Sequence, residues 1–262
     1  MRAHQNGFAE RAYTHIREKI LRGQLPFGAP ISRRELATEL GMSMLPIGEA
    51  LRRLEDEALV EAVPRVGTLV MTPTPQDIRG FYVVREALES QAARLFSEKA
   101  TPADRKELTV LAERLDDAYK KCAEYEEVSA QQLYELRDQH MKFHLTVAEG
   151  AHCPFLRRAI EKNQVLIFNW FLDLLFGYPG LPQDWHEELA KVLTGTDVEA
   201  ADRAMRKHVR FRMDELLVRL EPYYSLDRHH IARTIGRFPL VRHAATAPSS
   251  HQQAVDITLK TV

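Results

Sequence analysis

Apolar residues recur three and four apart along most of this chain, and only near 59–73 do they alternate with polar ones. In 8–22, Ala12, Ile16, Ile20 and Leu21 fall near one face, which predicts an amphipathic helix stopped by Gly23. After the turn-rich GQLPFGAPI, Ser32 is placed to cap a short helix, RRELATEL, that ends at Gly41. Ser43 then opens a third helix, with Pro46 in its first turn and Leu51 and Leu54 continuing the apolar stripe. The alternating stretch LVEAVPRVGTLVMTP predicts a two-stranded hairpin around PRVG. Helix, helix, tight turn, helix, hairpin is the order of a winged helix-turn-helix, here assigned to 8–73.

From Thr74 the strand signals vanish. Helical patterns run over 76–99, 102–126, 130–150, 154–176, 183–194 and 197–220, with starts marked by Thr101-Pro102, Pro154 and Asp197. Six such helices predict an antiparallel bundle over 76–220. The expected fold class is therefore mostly α, a winged helix-turn-helix followed by an all-helical bundle. The segment 221–262 mixes YYS, RHH, APSS and HQQ without helical period, and is expected to be a poorly ordered extension.

Composition narrows the function classes. With 262 residues, 45% hydrophobic and 28% charged, the chain has material for a real core. A formal charge of −1 excludes a polybasic nucleic-acid coat, yet leaves room for a local basic face. The longest apolar run, VLIFNWFLDLLF at 165–176, is interrupted by Asn169 and Asp173 and is too short to span a bilayer; the start of the chain has no apolar leader. No membrane role is expected. Two cysteines, Cys122 and Cys153, are too few for a disulfide framework, so they read as core thiols of a protein in a reducing cytoplasm.

Two constellations carry chemistry. In the first, Arg33 and Arg34 start the helix before the tight turn, Arg52 and Arg53 lie on the reading helix, and Arg65 sits at the hairpin tip. Together they can form a phosphate-facing surface, although any one of them is equally well a solvated surface charge. In the second, His140 and His144 stand four apart and so share a helix face. His186 opens one later helix and His208 lies late in the next, an arrangement that antiparallel helices would bring together. Imidazoles converging in a bundle suit zinc, nickel or another transition metal. Spacing alone leaves the alternative of surface or hydrogen-bonded core histidines open.

The stretches ISRRELATELGMS, PIGEALRRLEDEALV and PRVGTLV resemble the winged helix-turn-helix of GntR transcription factors. DIRGFYVVREALESQAARL and FHLTVAEGA resemble the helical effector domain of the FadR subfamily, called FCD. The resemblance covers residues 8 to about 220. It implies a homodimeric regulator that binds double-stranded operator DNA and a small carboxylate-containing effector. Arg34 and Gly67 match a backbone contact and the wing glycine of that family, and Ser43 the cap of its reading helix. Met44 and Gly48, however, stand where the family usually carries arginines, and Leu45 replaces a hydroxyl. Two bidentate arginine contacts, each worth about 1–3 kcal/mol of discrimination, would be missing.

The same resemblance implies a divalent metal, with His144, His186 and His208 matching three ligand positions and His140 standing where aspartate is usual. Arg85 matches a cavity-facing arginine suited to an effector carboxylate, with an intrahelical pair to Glu89 as the alternative. Asn163 and Asn169 are further effector-binding candidates. Two rival readings remain. A metal-dependent hydrolase or oxygenase needs a positioned base, and neither Asp138 nor Glu149 has that spacing to both helical histidines. A metal-binding sensor that has lost its operator accommodates Met44 and Gly48.

Overall fold

The computed structural model describes residues 2–125, 128–162 and 181–220. The head is built from α1 (Arg2–Leu21), β1 (Pro30–Ile31), α2 (Arg33–Leu40), α3 (Met44–Asp56), β2 (Val60–Val63) and β3 (Gly67–Val70). The bundle follows as α4 (Pro75–Lys99), α5 (Pro102–Glu124), α6 (Ala130–Gly150), α7 (Pro154–Lys162), α8 (Trp185–Leu193) and α9 (Val198–Leu220).

In the head, Ser32 Oγ accepts from Glu35 N at 3.2 Å and starts α2, and Gly41 in the left-handed region (φ 62°) stops it. Ser43 takes the extended backbone of an N-cap, but its hydroxyl makes no capping bond. The side chain expected to cap α3 is thus left at the surface. The hairpin forms as predicted, with Val60 opposite Val70 and Val63 opposite Gly67, and Arg65 (φ 65°) makes the turn. A third strand, β1, pairs Ile31 with Thr68 along the other edge of β3; two residues are too few to show alternation in a sequence.

Ala12, Ile16, Ile20 and Leu21 are buried as their spacing requires, with Ile47, Leu51 and Leu54 from α3 in the same core. Arg53 does not join the outward arginines. Its guanidinium bonds the Glu10 carboxylate and lies 3.6 Å from the centre of the Tyr13 ring, so it pins α3 to α1.

Three bundle helices begin with reciprocal capping boxes: Thr74 with Asp77, Thr101 with Asp104, and Ser129 with Gln132. Asp197 caps α9 through a 2.9 Å bond from Ala200 N. Phe96, Leu108, Leu115 and Phe143 fill the centre. Cys122 belongs to this core, whereas Cys153 is only half-buried, at the turn before α7. Residues 163–176 of the expected helix 154–176, with Asn163 and Asn169, lie outside the described residues, as does 221–262. Head and bundle touch where Arg22 stacks 4.8 Å over Tyr134 of α6.

Gly150 lets the end of α6 pack tightly against Phe96 of α4. A Cβ there would stand 2.5 Å from Phe96 Cε2, and that ring is fully buried and cannot swing away. Overpacking costs about 1–3 kcal/mol, more than the ~1 kcal/mol that alanine gains over glycine in a helix. Gly150→Ala should therefore lower the thermal midpoint by a few degrees, and Phe96→Leu in the same chain should recover part of the loss; a higher midpoint for Gly150→Ala alone would contradict this packing.

Candidate metal centre and nucleic-acid face

Four histidines from three helices meet inside the bundle. His140 and His144 project from one face of α6, His186 from the first turn of α8, and His208 from the middle of α9. All four are buried, His186 completely and His144 to 1% exposure. The His140 ring centre lies 4.7 Å from that of His144, 4.9 Å from His186 and 5.9 Å from His208. His208 is 5.2 Å from both His144 and His186. One ring nitrogen each from His140, His144 and His208 falls within 4.8 Å of the others.

Residues of α4 and α5 orient these rings. Asp116 accepts from His186 Nδ1 at 2.6 Å, and also from the backbone N–H groups of His186 and Glu187, both at 2.9 Å. The residue before α8, Asp184, makes no side-chain cap, so Asp116 from α5 satisfies the start of α8 and fixes its histidine with one carboxylate. Tyr119, one turn further along α5, places its hydroxyl 2.9 Å from His140 Nδ1 and stacks on His186 at 5.3 Å. Glu89 Oε2 lies 2.8 Å from His144 Nδ1, a charge contact whose angle falls short of a directed hydrogen bond.

Arg85 combines both roles considered for it. Its Nε donates to Glu89 at 2.8 Å, and its Nη2 lies 3.1 Å from His144 Nε2. A guanidinium only donates, so His144 Nε2 must present its lone pair and carry its proton on Nδ1, toward Glu89. His140 Nε2, 2.9 Å from that same nitrogen, then supplies a proton too, and its Nδ1 accepts from Tyr119.

Burial sets the charge states. It lowers the pKa of all four histidines, most strongly for His140 and His208, which have no carboxylate partner. Glu89 and Asp116 only partly offset burial at His144 and His186. Burial would raise the Glu89 carboxyl, but Arg85 and His144 overcome it and hold it at about 2. Burial likewise works against the Arg85 cation, and Glu89 restores it. The centre is thus four neutral imidazoles beside one buried ion pair.

Neutral imidazole is the ligand form for zinc, nickel and copper. His186 Nε2 and His208 Nδ1 are buried with no hydrogen-bond partner among the described residues, an arrangement that costs about 1–3 kcal/mol per group unless a ligand takes them. The three-nitrogen group of His140, His144 and His208 fits a transition metal, while His186, packed against the rings of His140 and His208, falls outside that group. Asp116 and Tyr119 were not singled out in the sequence. Their signal is phase: Leu108, Ala112 and Leu115 form the buried stripe of α5, and Asp116, four after Ala112, and Tyr119, four after Leu115, continue it with polar groups.

The head presents a different surface. Arg33, Arg34, Ser43, Met44, Arg52, Arg65 and Gly67 are exposed, and Gly48 is partly so. Among the described residues, none of the four guanidinium groups of Arg33, Arg34, Arg52 and Arg65 has a hydrogen bond or ion pair. Arg33 lines one surface cleft with Pro64 and Gly67 of the hairpin, which places a cation beside the wing.

The histidine pKa shifts fix a pH dependence for the metal-free protein. Unfolding returns each imidazole to about 6.5, so the unfolded chain binds more protons below that pH. Stability should be full above about pH 6.5 and should fall by on the order of a few kcal/mol as pH drops toward 5. Urea midpoints at neutral and mildly acid pH in the presence of a chelator test this; a midpoint unchanged on acidification would contradict neutral buried histidines.

The likeness to known proteins agrees with this architecture. Residues 8–70 match the model of the bacterial regulatory proteins of the gntR family, and residues 81–211 match the FCD domain. The HTH-type transcriptional regulator YdhC of Bacillus subtilis (strain 168) is 30% identical over 155 residues, 59% of this chain and 66% of that protein, so the match spans just under two-thirds of the relative. An HTH-type transcriptional regulator from an unstable DNA locus of Streptomyces ambofaciens is 27% identical over 219 residues, 82% of this chain and 88% of the relative. The crystal structure of a GntR transcriptional regulator from Rhodococcus sp. RHA1 shares the fold with a TM-score of 0.64 at 19% identity, covering 80% of this chain and 97% of that one. With a gntR head followed by an FCD bundle, the chain belongs to the GntR family, whose members are transcriptional regulators and not enzymes.

Proposed function

We propose that this chain is a ligand-responsive cytoplasmic regulator of the FadR type, in which a metal-loaded bundle (76–220) governs how the heads (8–73) of a homodimer grip operator DNA. The observation that carries the reading is the buried cluster of four neutral imidazoles, three of them with a ring nitrogen that makes no hydrogen bond. His140, His144, His186 and His208 would hold a divalent ion, zinc in the first place and nickel or another transition metal as variants. Such an ion supplies fixed positive charge and a position for an exogenous oxygen.

With all four ligands neutral, the ion's charge is left uncompensated in its ligand shell, since Glu89 is already paired with Arg85 and Asp116 stands one residue further out, behind His186. That arrangement favours an anionic effector, and a small carboxylate is the simplest. Arg85 is placed to receive its far end. Its Nη2 occupies the lone pair of His144 Nε2, the nitrogen required for ligation. Once His144 ligates, Arg85 loses that acceptor and keeps Glu89, which leaves guanidinium N–H groups for a carboxylate. Asn163 and Asn169 remain proposed effector contacts from the sequence.

On the DNA side, Arg33, Arg34, Arg52 and Arg65 supply phosphate contacts, and Ser43, Met44, Gly48 and Gly67 lie where reading helix and wing meet the duplex. The absence of arginine at 44 and 48 favours a second reading, a metal-binding sensor without an operator. Salt separates the two. Eight phosphate contacts from two heads would give a log–log salt slope of about −7.

Selection from a random duplex pool, at two salt concentrations with zinc supplied or chelated, should enrich a two-fold-symmetric site whose binding weakens steeply with salt. No enrichment in any condition would overturn the regulator reading and leave the sensor. In the bundle, Asp116→Asn keeps an oxygen for the α8 backbone but removes the charge on His186, and should weaken zinc binding by roughly 10–100-fold in a chelator competition. Unchanged zinc affinity would remove Asp116 from the metal centre.

A further inference from the structure

The tip of the reading helix is apolar where a DNA reader is expected to be polar. Met44 and Leu45, the first two residues of α3, are 61% and 60% exposed, while Ile47 and Leu51 behind them are at most 2% exposed. These two side chains therefore serve no core. Gly48, one turn after Met44, has open space where a Cβ would stand, so the backbone of this face can come close to a partner. The head also carries the exposed guanidinium groups of Arg33, Arg34, Arg52 and Arg65, none with a hydrogen bond or ion pair among the described residues, and Arg33 shares a cleft with Pro64 and Gly67 of the hairpin. An exposed apolar pair opening the reading helix of a head that also carries unpaired cations fits one occupant in particular, the major groove between two phosphate strands.

Resting on the operator-binding reading, we propose that Met44 and Leu45 read thymine 5-methyl groups, so that the half-site is specified by methyl contact. In the major groove each base pair shows donors, acceptors or, at thymine alone, a methyl group. Leucine has no donor or acceptor, and the methionine thioether is only a weak acceptor. Set against guanine or cytosine edges, they would strip water from polar groups and return no hydrogen bond. Set against thymine methyls they bury apolar surface on both sides. Gly48 fits this assignment, since a methyl is short and its contact needs the helix to sit deep. The arginines at the rim hold register on the phosphates and leave base choice to the apolar tip.

The test uses the full chain and the duplex it enriches from a random pool. Adjacent thymines are expected in each half-site. Replacing them one at a time with deoxyuracil, which removes only the methyl, should weaken binding by about 3- to 4-fold per methyl, the worth of one buried methylene group. Met44→Ala or Leu45→Ala, both exposed and so neutral for folding, should bind the thymine duplex more weakly and respond little to the same replacement. An enriched site whose binding is indifferent to deoxyuracil, or whose sensitivity survives in both variants, overturns methyl reading and leaves operator binding intact. No enriched site at all overturns both.

Discussion

Everything in the bundle is arranged around the cost of burying four imidazoles. Each has a polar nitrogen on either side, and burial without partners is expensive in a low-dielectric core. The chain meets part of that cost from outside the cluster: Asp116 at His186, Tyr119 at His140, and the Glu89–Arg85 pair at His144. These partners come from α4 and α5, so helices that carry no histidine decide how the histidines on α6 and α8 point. Asp116 goes further by also satisfying the backbone at the start of α8, which makes the position of that helix and the tautomer of its histidine one structural fact.

The same economy connects the site to the head. α6 carries His140 and His144 toward its C-terminal half and Tyr134 nearer its start, where Arg22, just past the end of α1, stacks on the ring. Arg137, between them on α6, is buried and also lies 4.7 Å over Tyr134. A rigid helix thus runs from the metal candidate to the contact with the reading head. In the proposed regulator, a change in how α6 sits when its histidines change partners would reach the head through Arg22, and Arg53 ties α1 to the reading helix there. By linkage, coupling of this kind acts equally in both directions, from effector to operator and back.

Local features of this fold were legible because their causes lie within a turn or two of sequence. Ser32, Gly41, Thr101 and Asp197 mark helix ends through bonds that span three to five residues, and His140 shares a face with His144 by helix geometry alone. The convergence of His186 and His208 on that pair came from family resemblance, since spacing left surface histidines as an equal alternative. Asp116 was not legible as the partner of His186 because 70 residues separate them. Arg53 was not separable from its neighbour Arg52, which has the same chemistry, because only the packing of α1 decides which of the two meets Glu10 and Tyr13. The strand β1 was invisible for a different reason: it is two residues long and exists because β3 offers an edge.

The claim on which the rest stands is that the imidazole cluster is a metal centre. Zinc-edge X-ray absorption of the full chain, loaded with an equivalent of zinc, tests it directly. The account predicts a nitrogen-dominated shell at about 2.0–2.1 Å with the outer scattering pattern of imidazole. A shell containing sulfur at about 2.3 Å, or oxygen without imidazole, would place the ion elsewhere and contradict the account.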